Sequence, residues 1–203
     1  MNYEEILGVL SEEKSFAKEH FIPIIRPESA KILYDLVSRF KPNSILEIGT
    51  AIGFSGSIML STSSNVTLDT IELKPELYNK AKDVFTKTHV IDRVSQYLGD
   101  AKEVIENLSS EGKTYDLIFL DGPKGQYIYY LPTLTKLLNK GGVIIADNVL
   151  FMGMVESTEH IPHRKRTIVN NLRKYLDVVS KPPYETELLH VEDGIAITKV
   201  KEM

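Results

Sequence analysis

The sequence predicts an α/β fold in which helices cover both faces of a mostly parallel sheet. Short apolar runs without polar alternation, such as Ile45, Leu46 and Ile48, are typical of strands buried on both faces. These runs alternate with longer segments of helical periodicity, as in a doubly wound sheet. Near the C-terminus, Glu192-Asp193-Gly194 separates two further runs and indicates an antiparallel hairpin. We therefore expect a seven-stranded sheet that ends in this hairpin.

In the first half of the chain, prolines mark where helices begin. Pro27 and Pro75 each stand at the first turn of a segment with helical periodicity, a position that tolerates the missing N–H. In the helix that Pro27 opens, the expected buried face consists of Ile32, Leu33, Leu36, Val37 and Phe40. The predicted helices are 3–19, 27–40, a segment after the first strand, 75–88 and 101–108, and the predicted strands are 45–48, 66–73 and 94–98.

The second half continues the alternation. We expect Pro132 to lie within or to kink the first turns of its helix, and Gly141-Gly142 to turn the chain into the fifth strand. The predicted elements are strands at 115–120, 143–146, 185–191 and 194–200, and a helix at 127–138. Because the carboxyl ends of parallel strands meet at one edge of a sheet, polar residues that follow the strands are expected to converge there. These are Glu47 with Gly49, Glu72, Asp100, Asp121, and Asp147 with Asn148.

Length and composition limit the possible classes of protein. The 203 residues suffice for one well-cored domain, so we expect a single domain over 1–203, with an N-terminal helical segment at 1–41 and a core at 42–203. The absence of cysteine excludes disulfides and thiolate metal sites. No signal-peptide pattern and no apolar run of about 20 residues are found, so a cytoplasmic protein is expected. The net charge of −4 argues against a surface that coats nucleic acid, but leaves room for a local basic patch.

The turn after the first strand is the first candidate binding site. Gly49 and Gly53 allow a sharp turn and let a ligand approach backbone N–H groups. Ala51 stands where a dinucleotide-binding motif would have its middle glycine, and the phosphate-binding G-x-x-x-x-G-K-[ST] pattern is also absent. The remaining pattern, Glu47-x-Gly49-x-x-x-Gly53, resembles motif I of the class I S-adenosylmethionine-dependent methyltransferases, which have a Rossmann-like fold. The alternative is a plain strand-to-helix turn in another α/β protein.

Three acidic or helix-start positions fit that cofactor. Glu72 could accept hydrogen bonds from a ribose diol, or serve as a carboxylate at the start of the helix opened by Pro75. Asp100 could bind the adenine amino group, or cap the helix that begins at Ala101. Ser55 and the Phe54 amide could bind the methionine carboxylate. The resemblance further implies cofactor contacts from Ile25, Glu47, Gly49, Ala101 and Asp121.

A second constellation is richer in oxygen ligands. Asp121, Asp147 and Asn148 follow neighbouring strands, and carboxylate and amide oxygens suit a hard cation such as Mg²⁺. With Lys124, this set resembles the cation-dependent O-methyltransferases of the catechol and caffeoyl-CoA type, over about residues 27–199. The resemblance implies that Asp121, Asp147 and Asn148 hold Mg²⁺ or another divalent cation, and that Lys124, with Asp121, acts at the acceptor hydroxyl. It also implies a homodimer formed through the N-terminal helices.

The acceptor is predicted from three further segments. Residues 125–132, 148–155 and 163–169 look most similar to a bacterial branch that converts 5-hydroxyuridine at the tRNA wobble position to 5-methoxyuridine. Stacking on a splayed base could come from Tyr127, Tyr129 or Phe151, and phosphate contacts from Arg164, Lys165 and Arg166. The alternatives are tyrosines packed in the core and a solvated helix start.

Two other functions stay open. Gly122-Pro123 and the lack of tryptophan near Asn148 depart from the plant-type branch and speak against a bulky aromatic pocket. A catechol-like small molecule is nevertheless the alternative acceptor. A module that binds S-adenosylmethionine without catalysis is the alternative of another class, and it would leave Lys124 and the metal ligands without a use.

Overall fold

A computed structural model describes residues 1–201 of the protein. The chain forms two compact units, the first from Met1 to Val104 and the second from Ile105 onward. The first unit contains three strands and the second contains four, which makes seven in the described residues. The predicted seven-stranded α/β class is confirmed. Among residues 1–201, no helix has the length and apolar character that a membrane crossing requires.

The first unit contains strands β1 (Ser44–Ile48), β2 (Thr67–Glu72) and β3 (Val94–Leu98), with a short 3-10 turn at Ile91–Arg93. These strands are parallel and lie in the order β3-β2-β1, with Ser44 paired with Thr67 and Leu68 paired with Val94. The helices of this unit are α1 (Tyr3–Val9), α2 (Ser11–Glu19), α3 (Pro27–Phe40), α4 (Phe54–Ser61) and α5 (Pro75–Lys87), and α6 (Ala101–Ser110) begins in it.

The first unit differs from the prediction in two details. The helix expected at 3–19 is interrupted at Leu10, whose backbone caps α1 and precedes α2. The face of α3 that is buried also differs, since Ile32 and Phe40 are only partly covered. The buried residues of α3 are Ser29, Ala30, Leu33, Leu36 and Val37.

The second unit contains strands β4 (Tyr115–Leu120), β5 (Leu138–Asp147), β6 (Tyr184–Leu189) and β7 (Ile195–Val200), in the order β4-β5-β7-β6. β4 and β5 are parallel, and β7 is antiparallel to both β5 and β6, which confirms the C-terminal hairpin. The helices are α7 (Tyr127–Leu137) and α8 (Arg166–Val179), with 3-10 turns at Lys124–Gln126 and His163–Lys165.

The glycine pair before the fifth strand was predicted as a turn, and this is wrong. β5 begins at Leu138 and runs through both glycines, with an irregularity in its pairing between Tyr115 and Leu117 of β4. Gly141 has a φ of 78°, and a Cβ on Gly142 would lie 2.9 Å from the Asp116 carbonyl oxygen. The glycines therefore allow an irregular, closely packed start of the strand rather than a separate connection.

Candidate active site

The turn between β1 and α4 requires left-handed backbone at three positions. Gly49, Ala51 and Gly53 have φ values of 101°, 48° and 78°. The N–H groups of Gly49 and Thr50 both donate to the Ile71 carbonyl at 3.1 Å, which fixes the turn against the end of β2. A Cβ at Gly53 would lie 3.0 Å from the Phe85 ring. The spacing of the two glycines is therefore a conformational requirement of this turn.

Glu47 lies beneath this turn and is fully buried. Its carboxylate accepts hydrogen bonds from the Ser55 hydroxyl at 2.5 Å and the Thr70 hydroxyl at 2.6 Å. The carboxylate thus joins the start of α4 to β2. Since Ser55 directs its proton to Glu47, the backbone N–H of Phe54, the first residue of α4, is better placed than that hydroxyl to donate to a ligand. Contacts of Glu47 and Ser55 with a cofactor stay predictions.

Glu72 is also buried, and it is surrounded by backbone amides. One carboxylate oxygen accepts from the N–H groups of Leu73 at 3.0 Å and Lys74 at 2.9 Å, just ahead of α5. The other accepts from Ala51 N–H at 2.8 Å. Glu72 therefore holds the turn that leads into α5 without capping the helix itself. The first oxygen uses both of its lone pairs in the bonds from Leu73 and Lys74, whereas the oxygen that accepts from Ala51 N–H keeps one, so hydrogen bonds from a ribose diol stay a prediction.

Asp100 lies next to Glu72, because Gly99 N–H donates to the Glu72 carbonyl at 2.9 Å. The Asp100 side chain is exposed and accepts from Lys102 N–H at 2.9 Å, so it caps α6, which begins at Ala101. The structure thus places Glu72, Asp100 and Ala101 at neighbouring strand ends. Ile25 is buried in the connection between α2 and α3.

In the second unit, the predicted metal ligands lie at the adjoining ends of two parallel strands. Leu120 of β4 pairs with Ala146 of β5, so the residues that follow them, Asp121 and Asp147, stand side by side. Asn148 comes next, with a φ of 57°. The Lys124 ammonium donates to Asp121 at 2.5 Å. The structure therefore brings Asp121, Lys124, Asp147 and Asn148 to one end of this sheet segment.

The charge of Asp147 is poorly compensated. Its side chain is buried, and burial followed by the charge of Asp121 raises its pKa from 3.8 to about 7. Asn148 N–H, at 2.8 Å, and the Lys124 ammonium oppose this rise. A cation would reverse it, and oxygen ligands suit a hard divalent ion. Since residues 1–201 contain no group of three or more acidic, histidine or cysteine ligands, such an ion would also need neutral donors, such as Asn148, water or an acceptor oxygen.

Tyr127 was not predicted to support this site, and it does. Its hydroxyl is buried between the carbonyl oxygens of Leu120, at 3.1 Å, and Asp147, at 3.2 Å, and so connects the ends of β4 and β5. Burial, and then the charge of Asp121, raise the pKa of Tyr127 well above its usual value. The predicted stacking of Tyr127 on a base is therefore wrong, and the alternative core position is correct. Tyr129 is exposed.

The predicted basic cluster lies at the start of α8, and its members differ in exposure and in the contacts that their charged groups make. Arg164 is exposed. The Lys165 ammonium lies 3.3 Å from the Met152 sulfur and 5.8 Å from the centroid of the Phe151 ring. Arg166 donates to the Ile161 carbonyl at 3.1 Å, which occupies part of its guanidinium. Arg164 and Lys165 are therefore the members best placed to bind an anion.

Comparison with known proteins identifies similar chains. The model of an O-methyltransferase family matches residues 4–201. Caffeoyl-CoA O-methyltransferase 1 of Arabidopsis thaliana is 30% identical over 184 residues, which are 85% of this chain and 69% of that protein. The enzyme of the same name from Eucalyptus globulus is 29% identical over 183 residues, 85% of this chain and 72% of that protein.

Two solved structures extend the similarity. A Staphylococcus aureus protein described as a candidate caffeoyl-CoA O-methyltransferase matches with a TM-score of 0.85 and 30% identity, over 100% of this chain and 93% of its own. An O-methyltransferase from Bacillus cereus, solved in complex with SAH, matches with a TM-score of 0.85 and 26% identity, over 96% of this chain and 91% of its own.

Proposed function

This chain belongs to the O-methyltransferase family, and from that membership we propose that it methylates a hydroxyl group held beside a divalent cation, with S-adenosylmethionine as the donor. The observation that carries the proposal is the grouping of Asp121, Lys124 and Asp147 at the ends of β4 and β5. The Bacillus cereus structure contains SAH, the product that S-adenosylmethionine leaves after methyl transfer. Membership of an enzyme family argues against a module that only binds the cofactor.

The glycine turn and its neighbours are proposed to bind the donor. The Phe54 N–H would donate to the methionine carboxylate, since it is an unpaired donor at a helix N-terminus. Glu72 would use the remaining lone pair of the oxygen that accepts from Ala51 N–H for a ribose hydroxyl, and Asp100 would accept from the adenine amino group. Gly49 and Ala101 would allow close approach of the ligand, and Ile25 would cover its apolar part.

Asp121, Asp147 and Asn148 are proposed to hold the cation, since their oxygens and the poorly compensated charge of Asp147 fit a hard ion. When bound, such an ion lowers the pKa of a coordinated hydroxyl. Lys124 lies beside Asp121 and, once its ammonium has given up a proton to solvent, would take the hydroxyl proton as the neutral amine. Attack of an oxyanion on a sulfonium removes charge, so the protein's main contribution is alignment of the reactants, worth roughly 7–11 kcal/mol.

The proposed acceptor is 5-hydroxyuridine at the tRNA wobble position, which would become 5-methoxyuridine. The combination of Phe151, Met152 and Lys165 supports it, because an apolar surface beside an ammonium suits a base and its phosphate. A catechol-like small molecule is the second candidate, since relatives at 29–30% identity are caffeoyl-CoA O-methyltransferases. A cytoplasmic homodimer is also proposed.

Methyl transfer from labelled S-adenosylmethionine tests both acceptors. We expect label in tRNA that carries 5-hydroxyuridine, none in the same tRNA with unmodified uridine, and loss of transfer when EDTA replaces Mg²⁺. If label appears only in a catechol, the proposed O-methyl transfer stands, but RNA is not the substrate. Unchanged transfer in EDTA would contradict the role of Asp121 and Asp147 as cation ligands.

A further inference from the structure

The segment that follows Asn148 has an unusual backbone. Phe151, Met152 and Gly153 have φ values of 45°, 60° and 72°, so three consecutive residues are left-handed. This conformation is ordinary for glycine and disfavoured for phenylalanine and methionine. It persists only where surrounding contacts hold it. Residues 149–153 must therefore be held in this conformation by hydrogen bonds and packing contacts with other parts of the chain.

The turn Asp193-Gly194 supplies these contacts. The Asp193 carboxylate accepts from Met152 N–H at 2.7 Å, and its backbone carbonyl accepts from Leu150 N–H at 2.8 Å. The Gly194 carbonyl accepts from Val149 N–H at 3.1 Å. A Cβ on Gly194 would lie 2.4 Å from the Leu150 side chain, so the two segments fit closely. Asp193 is buried, and its charge strengthens the bond to the strained Met152 amide.

Arg173 of α8 holds the other end of the segment. Its guanidinium donates to the carbonyl oxygens of Val155 at 2.8 Å and Ser157 at 2.7 Å. The segment is thus fixed on both sides of its tip, where Met152 has 61% of its surface exposed. An exposed methionine on a strained, doubly supported tip is a feature that packing alone does not require.

The tip forms a surface with Lys165, whose ammonium contacts the Met152 sulfur and faces the Phe151 ring. We call Phe151, Met152 and Lys165 the tip cluster. A thioether and an aromatic ring pack against flat ring systems, and an ammonium binds phosphate. The tip cluster therefore suits one chemical class, a nucleotide unit in which a base and a phosphate lie close together.

We propose that Asp193 is a positioning residue that holds the tip cluster in the conformation that binds a nucleotide unit of the acceptor. This inference rests on the proposed function for its context, since it names the part of the chain that recognises an RNA acceptor. Asp193 itself touches neither acceptor nor cation in this scheme. It acts through the Met152 amide, and the bound RNA stacks on the tip and pairs a phosphate with Lys165.

Hydrogen exchange and RNA binding test the proposal together. The variants are Asp193→Ala and Asp193→Asn, and Asp177→Ala is the matched control, because Asp177 is an exposed carboxylate of the same unit that pairs only at the surface with Lys181. For Asp193→Ala we expect amide exchange in a peptide spanning 149–153 to accelerate by about 10-fold or more, as a charge-assisted hydrogen bond is lost. Asp193→Asn, which keeps an acceptor oxygen, should restore most protection.

The binding probe is an anticodon stem-loop with plain uridine at the wobble position, so that no methylation is needed. We expect Asp193→Ala to weaken its binding by about 10-fold, Asp177→Ala to leave it unchanged, and SAH binding to stay constant in both. Met152→Asn keeps a residue that tolerates the left-handed backbone, so it should weaken RNA binding without faster exchange. This variant also covers the case in which Asp193→Ala fails to fold.

Each outcome decides the inference separately from the proposed function. Unchanged exchange in Asp193→Ala would show that Asp193 does not hold the segment. Faster exchange with unchanged stem-loop binding, or no binding by the wild type, would show that the tip cluster does not recognise RNA. If the wild type binds the stem-loop and Asp193→Ala weakens it, while 5-hydroxyuridine tRNA is not methylated, the inference stands and the proposed acceptor is wrong.

Discussion

Glu47 and Asp147 are both buried carboxylates near the carboxyl end of a strand, one in each unit, and they differ in how their charge is satisfied. Glu47 accepts from two hydroxyls, those of Ser55 and Thr70. Among residues 1–201, the Asp147 carboxylate accepts one hydrogen bond, from Asn148 N–H, and it faces the like charge of Asp121. A buried carboxylate whose charge is matched by hydrogen bonds supports structure, whereas one that faces a like charge is costly and favours a cationic partner. The same residue class at the same kind of position thus serves two purposes.

The largest expected effect comes from Asp147→Asn. The amide keeps the shape and the acceptor for Asn148 N–H, but removes the charge proposed to bind the cation. We expect Mg²⁺-dependent methyl transfer to fall by more than about 100-fold, since even outer-shell changes at metal sites cost about 10- to 100-fold. SAH binding, measured by calorimetry, should be unchanged. Asp177→Asn is the matched control. If the methyl-transfer rate of Asp147→Asn lies within a factor of three of the rate of this control, Asp147 is not a ligand of the proposed metal site.

The next prediction concerns how the free energy of unfolding depends on pH, which tests the poorly compensated charge of Asp147 directly. A carboxyl whose pKa is raised to about 7 when folded binds its proton more tightly in the native state, so its contribution to the free energy of unfolding falls as pH rises from about 4 to about 7. Asp147→Asn lacks this penalty. Its stability advantage over wild type should therefore grow by roughly 2–4 kcal/mol between pH 5 and pH 8. Urea unfolding in EDTA measures this, and a constant difference would contradict it.

Much of this fold follows from local sequence. β3 and β4 are confirmed at the predicted residues, because each is a short segment rich in apolar or aromatic residues that stops at a glycine or polar position, Gly99 after β3 and Asp121 after β4. Only the start of α8 is predicted, as a solvated helix start at the basic residues 163–166, and the rest of the helix is not. The signal was present at helical spacing, since the buried face of α8 includes Val169, Leu172, Tyr175 and Val179.

The candidate site also has one part that the sequence predicts and one part that it does not. The acidic residues at strand ends could be predicted, since parallel topology brings those ends to one edge. The long-range hydrogen bonds that support the site could not be predicted, because they join residues that are far apart in the sequence. Tyr127 contacts a carbonyl 20 residues away, and Asp193 contacts an amide 41 residues away. The spacing of residues in the sequence does not predict which distant residues form hydrogen bonds. The supporting roles of Tyr127 and Asp193 are therefore visible only in the folded structure.

A smaller effect is expected from Glu47→Gln. An amide offers one acceptor oxygen where the carboxylate offers two, so the hydroxyl of Ser55 or Thr70 must lose its acceptor or turn. We expect the free energy of unfolding to fall by about 1–3 kcal/mol, with cation-dependent transfer per folded molecule largely retained. Glu12→Gln, at an exposed carboxylate of the same unit, is the control and should change stability by less than about 0.5 kcal/mol. Equal stability of the two variants in urea would show that the Glu47 charge has no structural role.

The smallest effect separates two roles of Ser55. Its hydroxyl donates to Glu47 at 2.5 Å and is buried, so Ser55→Ala should cost about 1 kcal/mol of stability and change SAH affinity by less than about threefold. A direct hydrogen bond to the charged methionine carboxylate would instead cost about tenfold or more in SAH affinity. Calorimetric titration with SAH distinguishes these values, and Ser15→Ala, at an exposed serine of α2, controls for the loss of a hydroxyl. A tenfold loss would mean that Ser55 turns from Glu47 to the ligand, and that the carboxylate of Glu47 is satisfied only while the donor site is empty.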